Sequence, residues 1–453
     1  MNKTMKTNQM LTGKPGKTLF FFALPMIIGN LFQQFYNMAD SIIVGRFVSE
    51  EALAAVGASY SFTNVFIMIA IGGGIGGSVL TSQYLGAEDY GKMRTSAYTA
   101  LINFLAVSIA LALFGFFMNP WIMRALKTPD NVFDDAVLYL QIYFIGLPFL
   151  FMYNVLSATF NALGKSRIPL YFLIFSSVLN VGLDLWMVIG WQLGVAGVAI
   201  ATVAAQGLSA VISFLVFLKE LNRYPAAEGQ RVKRYDWEML ARGTQIAIPS
   251  IIQQSIVSIG MLLVQSVVNG FGSSVLAGYS AGTRVESICI VPMIATGNGV
   301  STFTAQNLGA RQPERVRKGL TSSFFMIGIF GVLICLILNL FHRQIITAFI
   351  NIESGHLAFT TANSYISFIS WFFALIGLKA ATDGVLRGSG DVNVYMAANL
   401  VNLGIRVLVA NLCAPIWGVQ AVWYAIPMGW GVNFLISFSW YLTGRWSRKQ
   451  IIS

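Results

Sequence analysis

The chain has 453 residues, of which 56% are hydrophobic and only 10% are charged. A soluble domain usually carries about 25% charged residues, so this chain has more apolar surface than a water-soluble fold could bury. The composition excludes a soluble enzyme, a disordered chain and a disulfide scaffold, and it predicts a protein embedded in lipid. Two histidines and three widely spaced cysteines leave little material for acid–base chemistry or a zinc site.

Twelve apolar stretches are each long enough to cross a bilayer as a helix, which takes about 20 residues. The first stretch lacks the short core and cleavage site of a signal peptide, so we expect it to be retained. The alternating ten-residue pattern of a membrane barrel is absent from the sequence. The predicted fold is an all-α polytopic membrane protein with spans at 18–44, 53–82, 96–118, 136–160, 168–190, 194–218, 244–269, 275–305, 319–341, 358–386, 392–413 and 417–443.

Lysine and arginine are distributed unevenly between the two sets of loops. Of the 29 basic residues, 22 lie in alternate segments that begin with the N-terminus, and four lie in the opposite loops. Cytoplasmic loops carry the excess of basic residues, so we expect both termini in the cytoplasm. The net charge of +11 follows from this topology, and its spread over seven segments argues against a nucleic-acid partner.

The two halves of the sequence resemble each other at an offset of about 223 residues. A polar connector, 219–243, separates an N-terminal lobe of six spans (1–218) from a C-terminal lobe of six spans with a cytoplasmic tail (244–453). An even number of spans gives both repeats the same orientation, as in parallel-repeat transporters that work by alternating access. The matching pairs are Pro25 with Pro249, Leu85-Gly86-Ala87 with Leu308-Gly309-Ala310, 160–164 with 386–390, Asn180 with Asn402, and Gly194-Val195 with Gly418-Val419.

Five charged residues lie inside the predicted spans of the second half, where each costs on the order of 3 kcal/mol or more at the bilayer centre. Lys379 and Asp383 are one helical turn apart, which predicts a structural ion pair, and Arg387 continues the same face. Glu286 can pair with Arg406 or with Arg284. We interpret the five as a possible second-lobe polar network: Arg284, Glu286, Lys379, Asp383 and Arg406.

The spans of the first half contain two acids, Asp40 and Asp184, and no basic residue. Two buried carboxylates without a basic partner are expected to bind a cation or to take up protons. The alternative is that both are neutral and only hydrogen-bonded. The repeat places Arg406 at the position that corresponds to Asp184, so we expect the cation site once, in the N-terminal lobe.

Other polar residues accompany the two acids at helical spacing. Asn180 lies one turn before Asp184, and Thr202 lies on the next span. Oxygen ligands from three helices suit a hard cation such as Na⁺, and the same carboxyl groups can carry H⁺, so the choice of ion stays open. The predicted cation-coupling residues are Asp40, Asn180, Asp184 and Thr202, and the predicted substrate-cavity residues are Gln33, Gln34, Asn37, Tyr139, Asn154 and Gln206.

Two short glycine motifs resemble nucleotide-binding sequences, but their positions favour other interpretations. Gly72, Gly74 and Gly77 spell G-x-G-x-x-G inside the second span, where glycines permit close helix packing or bending. Gly16-Lys17-Thr18 resembles the end of a phosphate-binding loop, but the required earlier glycine is Leu11. With no nucleotide motif, we expect an ion gradient to supply the energy.

Four segments together resemble the multidrug and toxic compound extrusion (MATE) family, in its prokaryotic DinF-like branch. They are FYNMADSIIVGRFVSEEALAAVGAS, QYLGAEDYGKMR, FNALGKSRIPL and LNVGLDLWMVIGWQLGVAGVAIAT. The resemblance implies twelve helices in two six-helix lobes that export organic compounds in exchange for H⁺ or Na⁺. It also implies a location in a prokaryotic plasma (inner) membrane. It implies that Asp40, Asn180, Asp184 and Thr202 are the family's first-lobe residues, and that Asp383 matches an acid found in part of the family.

The expected function is therefore a cation-coupled antiporter for organic, often cationic and amphipathic, small molecules. A lipid-linked sugar flippase of the same superfamily is the alternative, because Arg284 and Arg406 could serve a pyrophosphate group. A membrane-embedded enzyme is a remote alternative, since no nucleophile–base pair is visible. We expect no catalytic residue and no cofactor besides the coupling ion. The expected partners are small-molecule substrates and the lipid bilayer, and the expected state is a monomer.

Overall fold

The computed structural model describes residues 9–125, 128–348 and 356–449, and within these the regular structure is helical throughout. The first half contains α1 (Gln9–Thr12), α2 (Pro15–Phe47), α3 (Glu50–Gly86), α4 (Tyr90–Ala125), α5 (Asp130–Ala162), α6 (Arg167–Leu185) and α7 (Gly194–Leu221). The second half contains α8 (Trp237–Asn269), α9 (Ser273–Cys289), α10 (Val291–Gly309), α11 (Pro313–Thr347), α12 (His356–Ile369), α13 (Phe373–Ser389), α14 (Val392–Trp417) and α15 (Gln420–Leu442).

Twelve helical segments of the described chain are long and apolar enough to cross a membrane, and each overlaps one of the predicted spans. The predicted fold class is therefore confirmed. The ends of both termini, residues 1–8 and 450–453, lie outside the described residues. The predicted cytoplasmic location of the termini stays a prediction.

Two spans of the second half are interrupted, although the sequence suggested continuous helices. The eighth span divides into α9 and α10, because Pro292 at the start of α10 has no N–H to continue the hydrogen-bond ladder of α9. The tenth span divides into α12 and α13 around a 3₁₀ turn, Ser370–Phe372. The corresponding spans of the first half, α3 and α5, are continuous, and α5 contains Pro148 without a break.

The chain forms two compact units. The first unit is Ile28–Ile251, and the second unit is Met1–Ile27 together with Ile252–Ser453. Both boundaries fall inside helices, two residues after Pro25 in α2 and two residues after Pro249 in α8. The start of α2 is thus grouped with the second half of the chain, and the start of α8 with the first. The predicted lobes, 1–218 and 244–453, describe the two sequence repeats and stay a prediction, because the compact units have different boundaries.

Each unit repeats the same internal pattern of neighbouring helices. In the first unit α5 packs on α3, α4 and α7, and α7 packs on α6. In the second unit α13 packs on α10, α11 and α15, and α15 packs on α14. Because these helices occupy the same places in the two repeats, the similarity seen in the sequence corresponds to a shared arrangement inside each unit.

Glycines allow helices to approach closely in both units. A Cβ on Gly72 of α3 would lie 2.7 Å from the Ile251 backbone, and a Cβ on Gly77 would lie 2.6 Å from Ala100. In the second unit, a Cβ on Gly384 of α13 would lie 2.4 Å from the carbonyl oxygen of Gly297 on α10. The G-x-G-x-x-G motif thus serves helix packing, as predicted, and small residues do the same at membrane helix contacts generally.

Candidate functional site

The buried face of α6 is polar. Of its residues only Ser177, Asn180 and Asp184 are buried, and they follow one another at steps of three and four along one side of the helix. Burying polar groups without partners is costly, so a lipid-facing helix with an entirely polar inner face indicates a site. The α-helix changes into a π-helical turn, Trp186–Gly190, directly after this face. Such turns occur often at functional sites.

Asp184 lies near Asp40 of α2, close enough for the two carboxyl groups to interact electrostatically. The Asp184 side chain is fully buried, and the Oδ1 atom of each acid has no hydrogen-bond partner. Among the described side chains, none of the ion pairs includes either acid. Two adjacent carboxyls with unused oxygens form a site that a cation or a shared proton can complete.

Asn180 connects these acids to the neighbouring helix. In one orientation of its amide, Nδ2 donates to Thr202 Oγ1 on α7 at 3.3 Å. In the opposite orientation, which satisfies both ends of the amide, Nδ2 donates to Tyr36 Oη at 2.7 Å and to Asp184 Oδ2 at 3.1 Å. The orientation of an amide is assigned from its partners, and the second orientation places the donor between two oxygens. All four predicted coupling residues are therefore brought together.

Two tyrosines complete the surroundings of the acids. Tyr36 lies one turn before Asp40 on α2, and Tyr139 of α5 lies close enough to interact electrostatically with both carboxyls. Tyr139 and Thr202 also line a narrow crevice with Gln206 and Tyr143. The assignment of Tyr139 and Gln206 to a substrate cavity stays a prediction, and the structure places Tyr139 near the acids.

The other predicted cavity residues have no hydrogen bond to this cluster. Gln33 and Asn37 are exposed on α2, and Gln34 is partly buried. The Asn154 side chain donates to the carbonyl of Leu150 in its own helix, at 2.8 Å. Their assignment to a substrate cavity stays a prediction.

The second unit contains an ion pair at the place predicted for Lys379 and Asp383. Lys379 Nζ lies 3.1 Å from Asp383 Oδ2, and both side chains are largely buried. Asn399 of α14 bridges the pair, accepting from Lys379 at 2.9 Å and donating to Asp383 at 3.3 Å. Ser437 of α15 donates to the other Asp383 oxygen at 2.6 Å. Both oxygens of this acid therefore have partners.

The remaining charges of the second unit do not form the continuous network considered from the sequence. Arg387 follows Asp383 by one turn, but it donates to Asn298 Oδ1 at 2.6 Å and to Ser301 Oγ at 3.2 Å. Glu286 accepts a hydrogen bond from Tyr365 Oη at 2.5 Å. It makes no ion pair with a described basic residue, although Arg406 is near enough to interact electrostatically. Arg284, two residues before Glu286 on α9, is exposed and makes no ion pair with it.

Four residues of these clusters escaped the sequence reasoning: Tyr36, Tyr365, Asn399 and Ser437. Two had a usable signal. Tyr36 precedes Asp40 by four residues, which places it on the same helical face. Asn399 corresponds to Ser177 at the local repeat offset, just as Asn402 corresponds to Asn180. Tyr365 and Ser437 are neighbours only in the folded chain, and nothing near them in the sequence marks them.

Comparison with known proteins gives a consistent result over nearly the whole chain. The MatE family model matches residues 25–186 and 249–412. The probable multidrug resistance protein YpnP of Bacillus subtilis is 30% identical over 99% of this chain and all of that protein. The probable multidrug resistance protein YoeA, from the same organism, is 27% identical over 99% of both chains.

The fold is shared with a solved structure of a MOP superfamily transporter from Pyrococcus furiosus. That structure superposes with a TM-score of 0.91 at 22% identity, and the match covers 99% of this chain and all of that one. At this level of identity the likeness supports the fold, and the residues of the site are argued from their own geometry.

Proposed function

Because the chain belongs to the MatE family, the multidrug and toxic compound extrusion transporters, we propose that it is a cation-coupled antiporter that exports organic small molecules. The observation that carries the coupling is the pair Asp40 and Asp184, which lacks a basic partner among the described residues. YpnP and YoeA carry names that refer to multidrug resistance, which supports drug-like cargo over a lipid-linked sugar.

The coupling mechanism follows from the electrostatics of the carboxyl pair. A bound proton or Na⁺ halves the negative charge of Asp40 and Asp184 and lies between the two groups, so α2 and α6 can stay close. Without the cation, two adjacent carboxylates repel each other in a medium that screens charge poorly. The cation thus favours one arrangement of α2 and the empty site favours another. Cargo that binds better to the second arrangement exchanges with the cation, because each ligand shifts the equilibrium by its difference in affinity.

Asn180, Thr202 and Tyr36 would position the acids and supply neutral oxygen atoms. Two carboxyls and the hydroxyls of Thr202 and Tyr36 form an oxygen-rich set of the kind that hard cations prefer, and Asn180 donates to Asp184 and Tyr36. The same set can hold a proton shared between the carboxyls. The proposal therefore covers either ion, and it places the coupling site in the first unit alone.

The membrane orientation is part of the same proposal. The excess of basic residues in one set of loops puts the connector 219–243 and both termini in the cytoplasm. A cysteine introduced at Ala226 should then resist an impermeant thiol reagent in intact cells and react after permeabilisation. Labelling in intact cells would reverse the orientation and the direction of transport.

Transport in proteoliposomes tests the function. Purified protein is reconstituted, and movement of tetraphenylphosphonium is followed with an inwardly or outwardly directed gradient of H⁺ or Na⁺, one at a time. We expect one of the two gradients to drive uptake against the concentration gradient. Transport that ignores both gradients would contradict coupling. Transport of a pyrophosphate-linked lipid in place of the organic cation would favour the flippase.

A further inference from the structure

A cavity of about 540 Å³ lies in the second unit where α2 and α11 begin. Its walls are residues 12–15 and 311–315, and Lys318 stands one turn further along α11. We call this cavity the basic pocket. Pockets that bind small ligands enclose about 300–1,000 Å³, so the basic pocket has room for a small polar group.

Four basic side chains line the basic pocket: Lys14, Arg311, Arg315 and Lys318. The one acid in its lining, Glu314, pairs with Arg317 at 3.2 Å. Among the described residues, Lys14, Arg311 and Lys318 make no ion pair. Uncompensated positive charge in a concave site attracts anions.

Arg315 adds a further charge that no acid balances. Its guanidinium donates to the backbone oxygen of Met10 at 3.3 Å and to that of Gly13. Those carbonyls are neutral, so these bonds fix the position of the side chain without cancelling its charge. Arg315 therefore holds the segment before α2 against α11 and keeps one wall of the basic pocket positive.

The repeat shows that the fold does not need this charge. Arg311 corresponds to Glu88 of the first unit, and both adopt a positive φ, of 56° and 59°, in the same kind of turn. Asp89 follows Glu88 and lies 3.8 Å from Lys92, and Gln230 donates to Asp89 at 3.3 Å. The equivalent turn is thus acidic in the first unit, where the connector residue Gln230 contacts it, and basic in the second unit.

The position of the basic pocket relative to the bilayer indicates which kind of anion it would bind. The spans that begin at Pro15 and Pro313 contain 30 and 35 residues. At 1.5 Å per residue they extend over roughly 45 Å or more, which exceeds the hydrocarbon core of about 30 Å. The basic residues at their starts fit the lipid headgroup region better than the hydrocarbon core, where a charge is costly. We propose that the basic pocket binds the phosphate group of an anionic membrane phospholipid.

Bound lipid would hold the segment before α2 on the second unit. Met10 is buried there, and Asn307 donates to its backbone oxygen at 3.1 Å, beside the bonds from Arg315. A phosphate bridging Lys14 to Arg311 and Lys318 would add a link between this segment and α11. The proposal rests on the membrane-spanning fold and is independent of the cargo and of the coupling ion.

Lipid binding to the purified full-length protein in detergent tests the proposal. The probes are dioleoylphosphatidylglycerol, dioleoylphosphatidylcholine and inorganic phosphate. Retained lipid is counted by native mass spectrometry, and the melting temperature is titrated with each probe. The test variant combines Lys14→Gln, Arg311→Gln and Lys318→Gln. Its matched control combines Lys92→Gln, Arg231→Gln and Arg234→Gln, which removes the same charge from the first unit. Arg311→Gln alone is measured in case the triple variant folds poorly.

We expect phosphatidylglycerol to bind the wild type and the control triple with similar affinity. The test triple should bind it at least about tenfold more weakly, and Arg311→Gln should fall between them, because each basic residue near the surface adds to the attraction of anionic lipid. Equal loss in both triples, or binding of phosphatidylcholine as tight as that of phosphatidylglycerol, would overturn the proposal. A melting-temperature rise that inorganic phosphate alone reproduces would overturn the assignment to lipid in favour of a soluble anion.

Discussion

The inner faces of α6 and α14 occupy equivalent positions in the two repeats and carry opposite charge. Each helix packs on the last membrane helix of its unit, and Asn180 on α6 corresponds to Asn402 on α14. One turn further on, Asp184 stands in the first unit and Arg406 in the second. Asp184 faces a second carboxyl, whereas Arg406 lies near Glu286, which is hydrogen-bonded to Tyr365.

The two units share one arrangement of helices, but their buried acids differ in whether they have partners. The acids of the second unit have partners, since Lys379, Asn399 and Ser437 surround Asp383. In the first unit, Asp40 and Asp184 each keep an oxygen with no hydrogen-bond partner. Satisfied charges stabilise a fold, while unsatisfied ones are available for an ion. We therefore propose that the first unit holds the coupling site and that the polar groups of the second unit have a structural role.

The largest expected effect comes from removing either unpaired carboxyl. Asp40→Asn and Asp184→Asn should each reduce gradient-driven transport in proteoliposomes to background, because an amide can hydrogen-bond but cannot take up the proton or balance a cation. The melting temperature should stay equal to that of the wild type or rise. Asp134→Asn, on the exposed start of α5, is the matched control and should transport normally. Normal transport in Asp40→Asn or in Asp184→Asn would show that this carboxyl group is not needed for coupling. The proposed difference between the two units would then be wrong.

A smaller effect, on stability, is expected from the paired acid of the second unit. Asp383→Asn leaves the buried Lys379 ammonium without its counter-charge, and breaking such a pair costs about 3 kcal/mol or more. Adding Lys379→Met should recover much of that loss, as a double-mutant cycle on the melting temperature would show. Additive losses would mean that the two side chains do not interact. Lost transport in the stable double variant would make Asp383 a second coupling residue.

A substitution at the contact between α10 and α13 should lower stability without changing the coupling. Gly384→Ala places a methyl group against the backbone of Gly297, so we expect a destabilisation of about 1–3 kcal/mol. Gly404→Ala, on α14, meets nothing within 4 Å and should leave the melting temperature nearly unchanged. Coupling should persist in both variants where they remain folded. A change of coupling ion or stoichiometry in Gly384→Ala would show that the second unit contributes more than structure.

The smallest effects are expected from removing the hydroxyl groups of Tyr36 and Tyr365, one in each unit. Tyr36→Phe removes a hydroxyl next to Asn180 and Asp184, and a single hydrogen bond contributes about 1 kcal/mol, so the apparent affinity for the coupling cation should fall severalfold. Tyr365→Phe removes the donor to Glu286 and should lower stability without altering that affinity. Concentration dependence of transport on the coupling ion measures both. Equal shifts in the two variants would contradict the separation of roles between the units.

The sequence predicted the spans and the repeat, because hydrophobic length and helical spacing are local properties, and it selected four polar residues that lie together in the first unit. It did not predict that Arg387 would turn away from Asp383 to Asn298, since spacing along one helix does not show what the next helix offers. It also missed the 3₁₀ turn that precedes α13, which no proline marks, and it missed Tyr365, which approaches Glu286 only in the folded chain. The sequence pattern did not predict which side chains of neighbouring helices contact each other.

The most direct test of the central claim is release of the coupling cation when cargo binds. Tetraphenylphosphonium is added to purified protein in weakly buffered detergent, and released H⁺ and Na⁺ are measured together. The account predicts that about one cation leaves each wild-type molecule, since linkage requires cargo and cation to compete. Asp184→Asn should release none, and the Asp383→Asn, Lys379→Met pair should release as much as the wild type. Cation release from Asp184→Asn equal to that from the wild type would contradict a coupling site in the first unit. So would a loss of cation release that occurs only in the double variant of Asp383 and Lys379.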